Sequence, residues 1–185
     1  MALKATIYKA NVSLSDLDRN IYNDHGLTIA RHPSETEERL MIRLLAFVLN
    51  APGSNHHGSL EFARDMWEPD EPALTQQDLT GVLVRWIELG QPEERRLMRA
   101  CGRAKQVTVY SFSTNTPGWW ASMKDRFSRV TNLTVWHIPP AQSQALGALA
   151  ARSMDLQVMV QDGGLWVGVG GASVELTPER LFGAP

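Results

Sequence analysis

The sequence predicts an α/β fold of the α+β kind, a mixed β-sheet flanked by helices, in one domain spanning residues 1–185. Three observations carry this. Short apolar runs of strand length alternate with helical periodicity through the middle of the chain. About the first 30 residues read as two strands around a turn. The composition, 43% hydrophobic and 21% charged over 185 residues, is globular and supplies a sizeable core.

Each element has its own signal. Leu3, Ala5 and Ile7 are expected on one face of the first strand, with Lys4, Thr6 and Tyr8 on the other. Turn residues occupy 15–20, and 21–30 returns as the second strand of a long hairpin. Ser34 is expected to cap the first helix, with Glu37 three residues later completing a capping box. Leu40, Met41, Leu44, Leu45 and Val48 then recur at helical spacing until Pro52 and Gly53 end the run. Residues 60–66 read as a short strand, followed by an acidic, proline-rich segment at 67–72. Residues 82–89 are almost continuously apolar, as in a strand covered on both faces.

A helix is predicted from Pro92, with Glu93 and Glu94 early and Arg99, Arg103 and Lys105 late, an order that suits the helix dipole. A strand at 107–112 follows, then a helix at 117–129 with Trp119, Trp120, Met123 and Phe127 on one side. A strand at 133–138 and an Ala-rich helix at 140–151 come next. Residues 155–161 and 165–169 flank Asp162-Gly163, a favoured hairpin turn. A short strand at 174–176 and a helical turn opened by Pro178 complete the expectation. The two terminal hairpins are additions to the central sheet.

Charge narrows the function. Eighteen basic and 20 acidic residues leave a net charge of −2, which argues against coating nucleic acid over a broad surface. A local basic rim around an acidic site remains compatible with it. A lone cysteine, Cys101, excludes an intrachain disulfide and fits a reducing compartment. The N-terminus has no signal-peptide pattern and no run approaches a membrane span, so the protein is expected in the cytoplasm, with no membrane partner. The glycines at 163–171 lie within a hairpin with no lysine or following helix, and no dinucleotide cofactor is expected. His56-His57 reads as exposed loop.

Three carboxylates stand out. Glu88 ends the apolar run, where an ionised group needs an ion, a metal or hydrogen bonds. Asp70 lies between Pro69 and Pro72, which stiffen its segment. The Asp precedes Glu88 by 18 residues, a spacing that can put both on neighbouring strands, where Mg²⁺ or Mn²⁺ would take them as ligands. Glu38 falls about 20° beyond the apolar arc of the first helix. Ahead of that helix, Arg31, His32 and Ser34, with Arg39 inside it, are candidates to hold a nucleic-acid backbone.

On the segments Met-Ala-Leu-Lys-Ala-Thr-Ile-Tyr-Lys-Ala at the start, Ala-Arg-His-Pro-Ser-Glu-Thr at 30–36, Asp70-Glu71-Pro72 and Trp-Ile-Glu-Leu-Gly at 86–90, the chain resembles the YaeQ family of small bacterial proteins along essentially its whole length. The resemblance implies a compact variation on the PD-(D/E)xK nuclease fold, hence a restriction-endonuclease-like core. It matches Asp70 to the motif's Asp, Glu88 to its (D/E), and Glu38 to a helix glutamate that often joins such sites. The motif's lysine, two residues after Glu88, is Gly90 here, followed by Gln91. A cation would have to come from the next helix, from Arg95 or Arg96, or less directly from Lys105. The expected activity is Mg²⁺- or Mn²⁺-dependent phosphodiester hydrolysis, with Glu38, Asp70, Glu88, Gln91 and Arg96 in the catalytic group and Asp70 and Glu88 on the metal. The alternative is an inactive nuclease-like module that binds nucleic acid or protein. A third class, a small-molecule enzyme, would show itself as an apolar pocket remote from Asp70 and Glu88.

Overall fold

The computed structural model describes residues 4–184. Its elements are β1 (Thr6–Asp16), β2 (Ile21–Arg31), α1 (Glu37–Asn50), β3 (Leu60–Phe62), β4 (Leu74–Gln77), β5 (Leu83–Leu89), α2 (Glu94–Arg103), β6 (Gln106–Ser111), α3 (Thr116–Ala121), β7 (Leu133–His137), α4 (Pro140–Gly147), β8 (Ser153–Gln161), β9 (Gly164–Val169), β10 (Ala172–Leu176) and β11 (Glu179–Phe182). The class is the expected α+β, but the strands form two mixed sheets. One has the order β10-β9-β8-β1-β2 and the other β11-β7-β6-β5-β4-β3. The two terminal hairpins join each other, because β1 pairs parallel with β8.

The β1–β2 hairpin runs from Thr6↔Arg31 to Asp16↔Ile21. Its inward face is the reverse of the one expected: Tyr8, Ala10, Val12 and Leu14 are buried and Ile7 is 41% exposed. Leu3 lies outside the described residues. β8 alternates in the same way, burying Met154, Leu156, Val158 and Val160, so one face of this sheet meets the core and the other meets water. Asp162 (φ 53°) and Gly163 (φ 76°) make the tight β8–β9 turn, where two successive left-handed residues match the strand twist.

α1 lies between the sheets. Every residue from Leu40 to Val48 is buried, against β1, β8 and β9 on one side and Leu74, Ile87, Leu89 and Tyr110 on the other. A helix covered all round needs apolar residues all round. Its N-cap is Thr36, whose hydroxyl accepts the Arg39 amide at 3.1 Å, in place of the expected Ser34. α4 crosses close to its start: a Cβ on Gly147 would lie 2.8 Å from Glu38 Cα.

A second core fills the other face of the six-stranded sheet. Trp86, Val107, Val109, Leu133 and Val135 meet Leu97 and Ala100 of α2, together with Trp120, Met123 and Phe127. The single helix expected at 117–129 is α3 followed by a 3-10 turn at Lys124–Phe127. β4 was not expected. It is short and polar, and its buried Gln76 amide donates to the carbonyls of His57 (3.3 Å) and Gly58 (3.0 Å). The strand expected over 60–66 stops at Phe62, and 65–67 is a 3-10 turn. The turn expected after Pro178 is instead β11, which pairs antiparallel with β7. Among the described residues no helix is long and apolar enough to cross a membrane.

Candidate functional site

Glu88 closes β5. It alternates with Trp86 onto the face covered by α2 and is 5% exposed. Trp86 Nε1 donates to Glu88 Oε1 at 2.7 Å, and Arg96 Nε donates to the same oxygen at 2.8 Å. No donor among the described residues reaches Oε2. Burial raises the carboxyl pKa above its ordinary value, while the bonds from Arg96 and Trp86 oppose that shift. Arg96 does more than pair. Its Nη2 donates to the Glu71 carbonyl at 2.7 Å and its Nη1 to the Pro69 carbonyl, so one guanidinium ties α2 to β5 and to the proline-rich segment. Gly90, two residues after Glu88, has φ +84°, a conformation in which a lysine would be strained.

Asp70 is exposed and shares a cavity of about 160 Å³ with Trp86, Arg96, Arg99 and Arg103. The Arg103 guanidinium stands 5.3 Å from the Trp86 ring centroid. Among the described residues neither Arg99 nor Arg103 has a carboxylate partner within salt-bridge distance. Gln91, three residues after Glu88, does not line this cavity, and its Nε2 is buried and unpartnered among the described residues.

Glu38 is not brought to this cavity. Ser143 Oγ donates to its Oε1 at 2.5 Å, which turns it toward α4, on the opposite face of the sheet from Glu88. The helix-start residues are occupied internally. Arg31 Nε donates to the Glu35 carbonyl at 2.8 Å, and His32 Nδ1 accepts the Ser34 amide at 3.0 Å while its ring packs edge-on against Trp67. Arg39 bonds Glu35 at 2.9 Å and both oxygens of Asp65 at 2.6 and 2.9 Å. Ser34 alone of the four is exposed without a side-chain bond.

The donor set as it stands does not fit a divalent cation. Glu88 is taken by a guanidinium and an indole, Glu38 by a hydroxyl, and among the described residues no group of three or more His, Cys, Asp or Glu side chains is placed to hold a metal. The arrangement instead offers cations and an aromatic face. Three arginines of one helix wall meet a tryptophan, with one exposed carboxylate opposite.

The family model described as YaeQ protein matches residues 1–178. The chain belongs to the YaeQ family. The YaeQ proteins of Escherichia coli K12 and Salmonella typhi are each 43% identical over 169 residues, covering 90% of this chain and 90% of theirs. The crystal structure of YaeQ from Xanthomonas axonopodis pv. citri superposes with a TM-score of 0.92 at 41% identity, covering 98% of this chain and 100% of that one. The YaeQ structure from Pseudomonas syringae gives 0.89 at 30% identity, covering 97% of each. The two-sheet architecture of the described residues is thus shared with the YaeQ structures.

In this YaeQ-family chain Cys101 is half-buried against the second core, and burial pushes its thiol up to about 11, which disfavours the thiolate. Arg99, Arg103 and Trp86 were missed as site residues. Their signal was present: Arg96, Arg99 and Arg103 recur at helical spacing, but the helix dipole already accounted for late arginines.

Proposed function

We propose that the protein binds nucleic acid on the α2 face of the six-stranded sheet, as a nuclease-like module whose Glu88 is closed by Arg96. The carrying observation is the cavity lined by Arg99, Arg103 and Trp86, in which the Arg103 guanidinium lies over the Trp86 ring and neither arginine has a carboxylate within salt-bridge distance among the described residues. Two guanidiniums without carboxylate partners suit phosphate oxygens, and a cation over an aromatic ring stays positioned for them. Asp70, exposed at the rim, suits a sugar hydroxyl or base amino group. The footprint is small, which agrees with a net charge of −2.

The test is fluorescence anisotropy with labelled single-stranded and duplex oligonucleotides from about 50 to 200 mM salt. Binding should weaken with salt. Replacing Arg99 and Arg103 together by alanine should lower affinity about 100-fold and reduce the salt slope by about 1.5 to 2. Glu88→Ala should retain binding. Salt-insensitive binding, or none to any oligonucleotide, would rule the reading out.

A second reading, phosphodiester hydrolysis with Mg²⁺ or Mn²⁺, rests on the family resemblance and on the one Glu88 oxygen left without a donor among the described residues; because the donor set as it stands does not fit the ion, it requires Arg96 to release Glu88. Cleavage assays with either metal test it directly. Loss of the free Mn²⁺ signal in electron paramagnetic resonance on adding protein tests metal binding without relying on turnover.

A further inference from the structure

A second cavity, of about 250 Å³, opens between the two sheets at the C-terminal end of α1, across the six-stranded sheet from Glu88. Leu49, Trp136, Val160 and Leu165 give it apolar walls. Its polar end is formed by Tyr110 from β6 and Asn50, the last residue of α1, with Asp16, the last residue of β1, and Arg19 from the β1–β2 turn nearby.

The charged groups there satisfy each other. Asp16 accepts the Arg19 amide at 2.9 Å and its Nε at 2.6 Å. The remaining nitrogens of Arg19 cap α1, donating to the carbonyls of Val48 (3.0 Å) and Ala51 (2.9 Å). Asp18 accepts the Asp162 and Gly163 amides at 2.8 and 2.9 Å.

Asn50 and Tyr110 are different. Asn50 Nδ2 uses both hydrogens, toward the Ala46 carbonyl and the Tyr110 hydroxyl, each at 2.8 Å. The carbonyl partner fixes which end of the amide is nitrogen. That leaves Asn50 Oδ1 without a donor and the Tyr110 hydroxyl hydrogen without an acceptor among the described residues. Both residues are buried, Asn50 at 6% exposure and Tyr110 at 4%. Burial holds the Tyr110 pKa up at about 12, so the hydroxyl stays a donor at physiological pH.

A donor and an acceptor left free side by side at the end of an apolar-walled cavity select a particular ligand chemistry. The paired charges disfavour an ionic guest. The volume falls below the roughly 300 Å³ at which drug-sized pockets begin, so the guest is small. We propose that this cavity binds a neutral planar heterocycle presenting an acceptor next to a donor, a cyclic amide or amidine of nucleobase type. Its edge would pair with Tyr110 and Asn50, and its faces would contact Trp136 and the aliphatic walls. The site shares no residue with the α2 cavity, and its test is independent of the proposal above.

Saturation-transfer NMR on the whole chain, with uracil, cytosine, adenine and hypoxanthine as probes, gives the decision. At least one base should receive saturation and shift the Trp136 indole N–H resonance. 1,3-Dimethyluracil keeps the ring and both carbonyls but has no N–H, and should bind at least about tenfold more weakly than uracil. Tyr110→Phe should weaken binding about tenfold while keeping a native amide spectrum. Leu49→Phe, which narrows the cavity without touching the polar pair, should abolish binding. The proposal is overturned if no base binds at millimolar concentration. It is overturned equally if saturation leaves Trp136 unshifted, or if both dimethylation and Tyr110→Phe leave affinity unchanged.

Discussion

Two buried carboxylates of this molecule face arginines and end in opposite states. Glu35, ahead of α1, is closed on every side: Oε1 accepts from Arg39 at 2.9 Å and Oε2 from Arg43 at 2.8 Å. Arg39 also grips both oxygens of Asp65, which holds a left-handed φ of 49°, and Arg43 donates to the Ala30 carbonyl at 3.0 Å. Glu88 is closed on one oxygen only, and the helix that supplies its arginine carries Arg99 and Arg103, which have no carboxylate within salt-bridge distance among the described residues. The first network uses both oxygens of its carboxylate inside the fold, leaving only Arg43 Nε without a hydrogen bond, 3.9 Å from Asp65, and reads as structure. The second has capacity left over at a cavity, which is what a ligand requires.

The sharpest way to break this contrast is to remove each carboxylate. Glu35→Ala takes from Arg43, whose side chain is 5% exposed, its hydrogen-bonded carboxylate and leaves it only the longer contact to Asp65 at 3.9 Å. Deleting one partner of such a pair costs about 3–5 kcal/mol, so chemical denaturation should find that loss while oligonucleotide binding by the folded fraction is unchanged. Glu88→Ala should cost roughly half as much or less. Arg96 is 30% exposed and keeps the Pro69 and Glu71 carbonyls as acceptors. Equal losses at the two sites would erase the distinction between a closed network and an open one.

Acidity sharpens it further. The folded pKa of Glu88 is raised, chiefly by burial, so between the ordinary carboxylate value near 4.3 and the raised value the folded chain holds more protons than the unfolded chain. Stability from this group is therefore greatest at low pH and falls as pH rises through that window. Glu88→Gln cannot titrate. Its stability relative to the wild type should improve as pH rises from about 4.3, read as the difference between the two urea midpoints across pH. A flat difference would show that the bonds from Arg96 and Trp86 balance desolvation, and one that moves the other way that they outweigh it.

How much of this was legible in the sequence follows from which interactions are local. Glu88 was visible because a carboxylate inside an apolar run has few explanations. α1 was visible as a period, but the burial of Ile42, Arg43 and Ala46 was not, since that needs a second sheet on its far side. The inward face of β1 was misread because Ala5 and Ile7 suggest one phase over a few residues. The longer series Tyr8, Ala10, Val12 and Leu14 sets the other, and the longer series buries more area. The pairing of Asn50 with Tyr110, sixty residues apart, left no trace in spacing. Nor did the capture of Glu38 by Ser143, 105 residues away.

The capping of α1 gives the smallest test and bears on the same contrast, because the cap aims Arg39 at Glu35 and Asp65. The capping-box rule pointed to Ser34 with Glu37, yet Ser34 is one of the exposed residues of an irregular segment in which Glu35 N–H donates to the His32 carbonyl at 2.9 Å. Placing the cap at Thr36 lets Glu35 turn inward under the helix, where Arg39 and Arg43, four and eight residues on, lie on one face. A cap at Ser34 would instead place Glu35 in the first helical turn, on a different path from the one that buries it. Thr36→Ala should cost about 1 kcal/mol and Ser34→Ala less than about 0.5 kcal/mol, measured by urea denaturation. The reverse order would place the helix start at Ser34 and loosen the closed network with it.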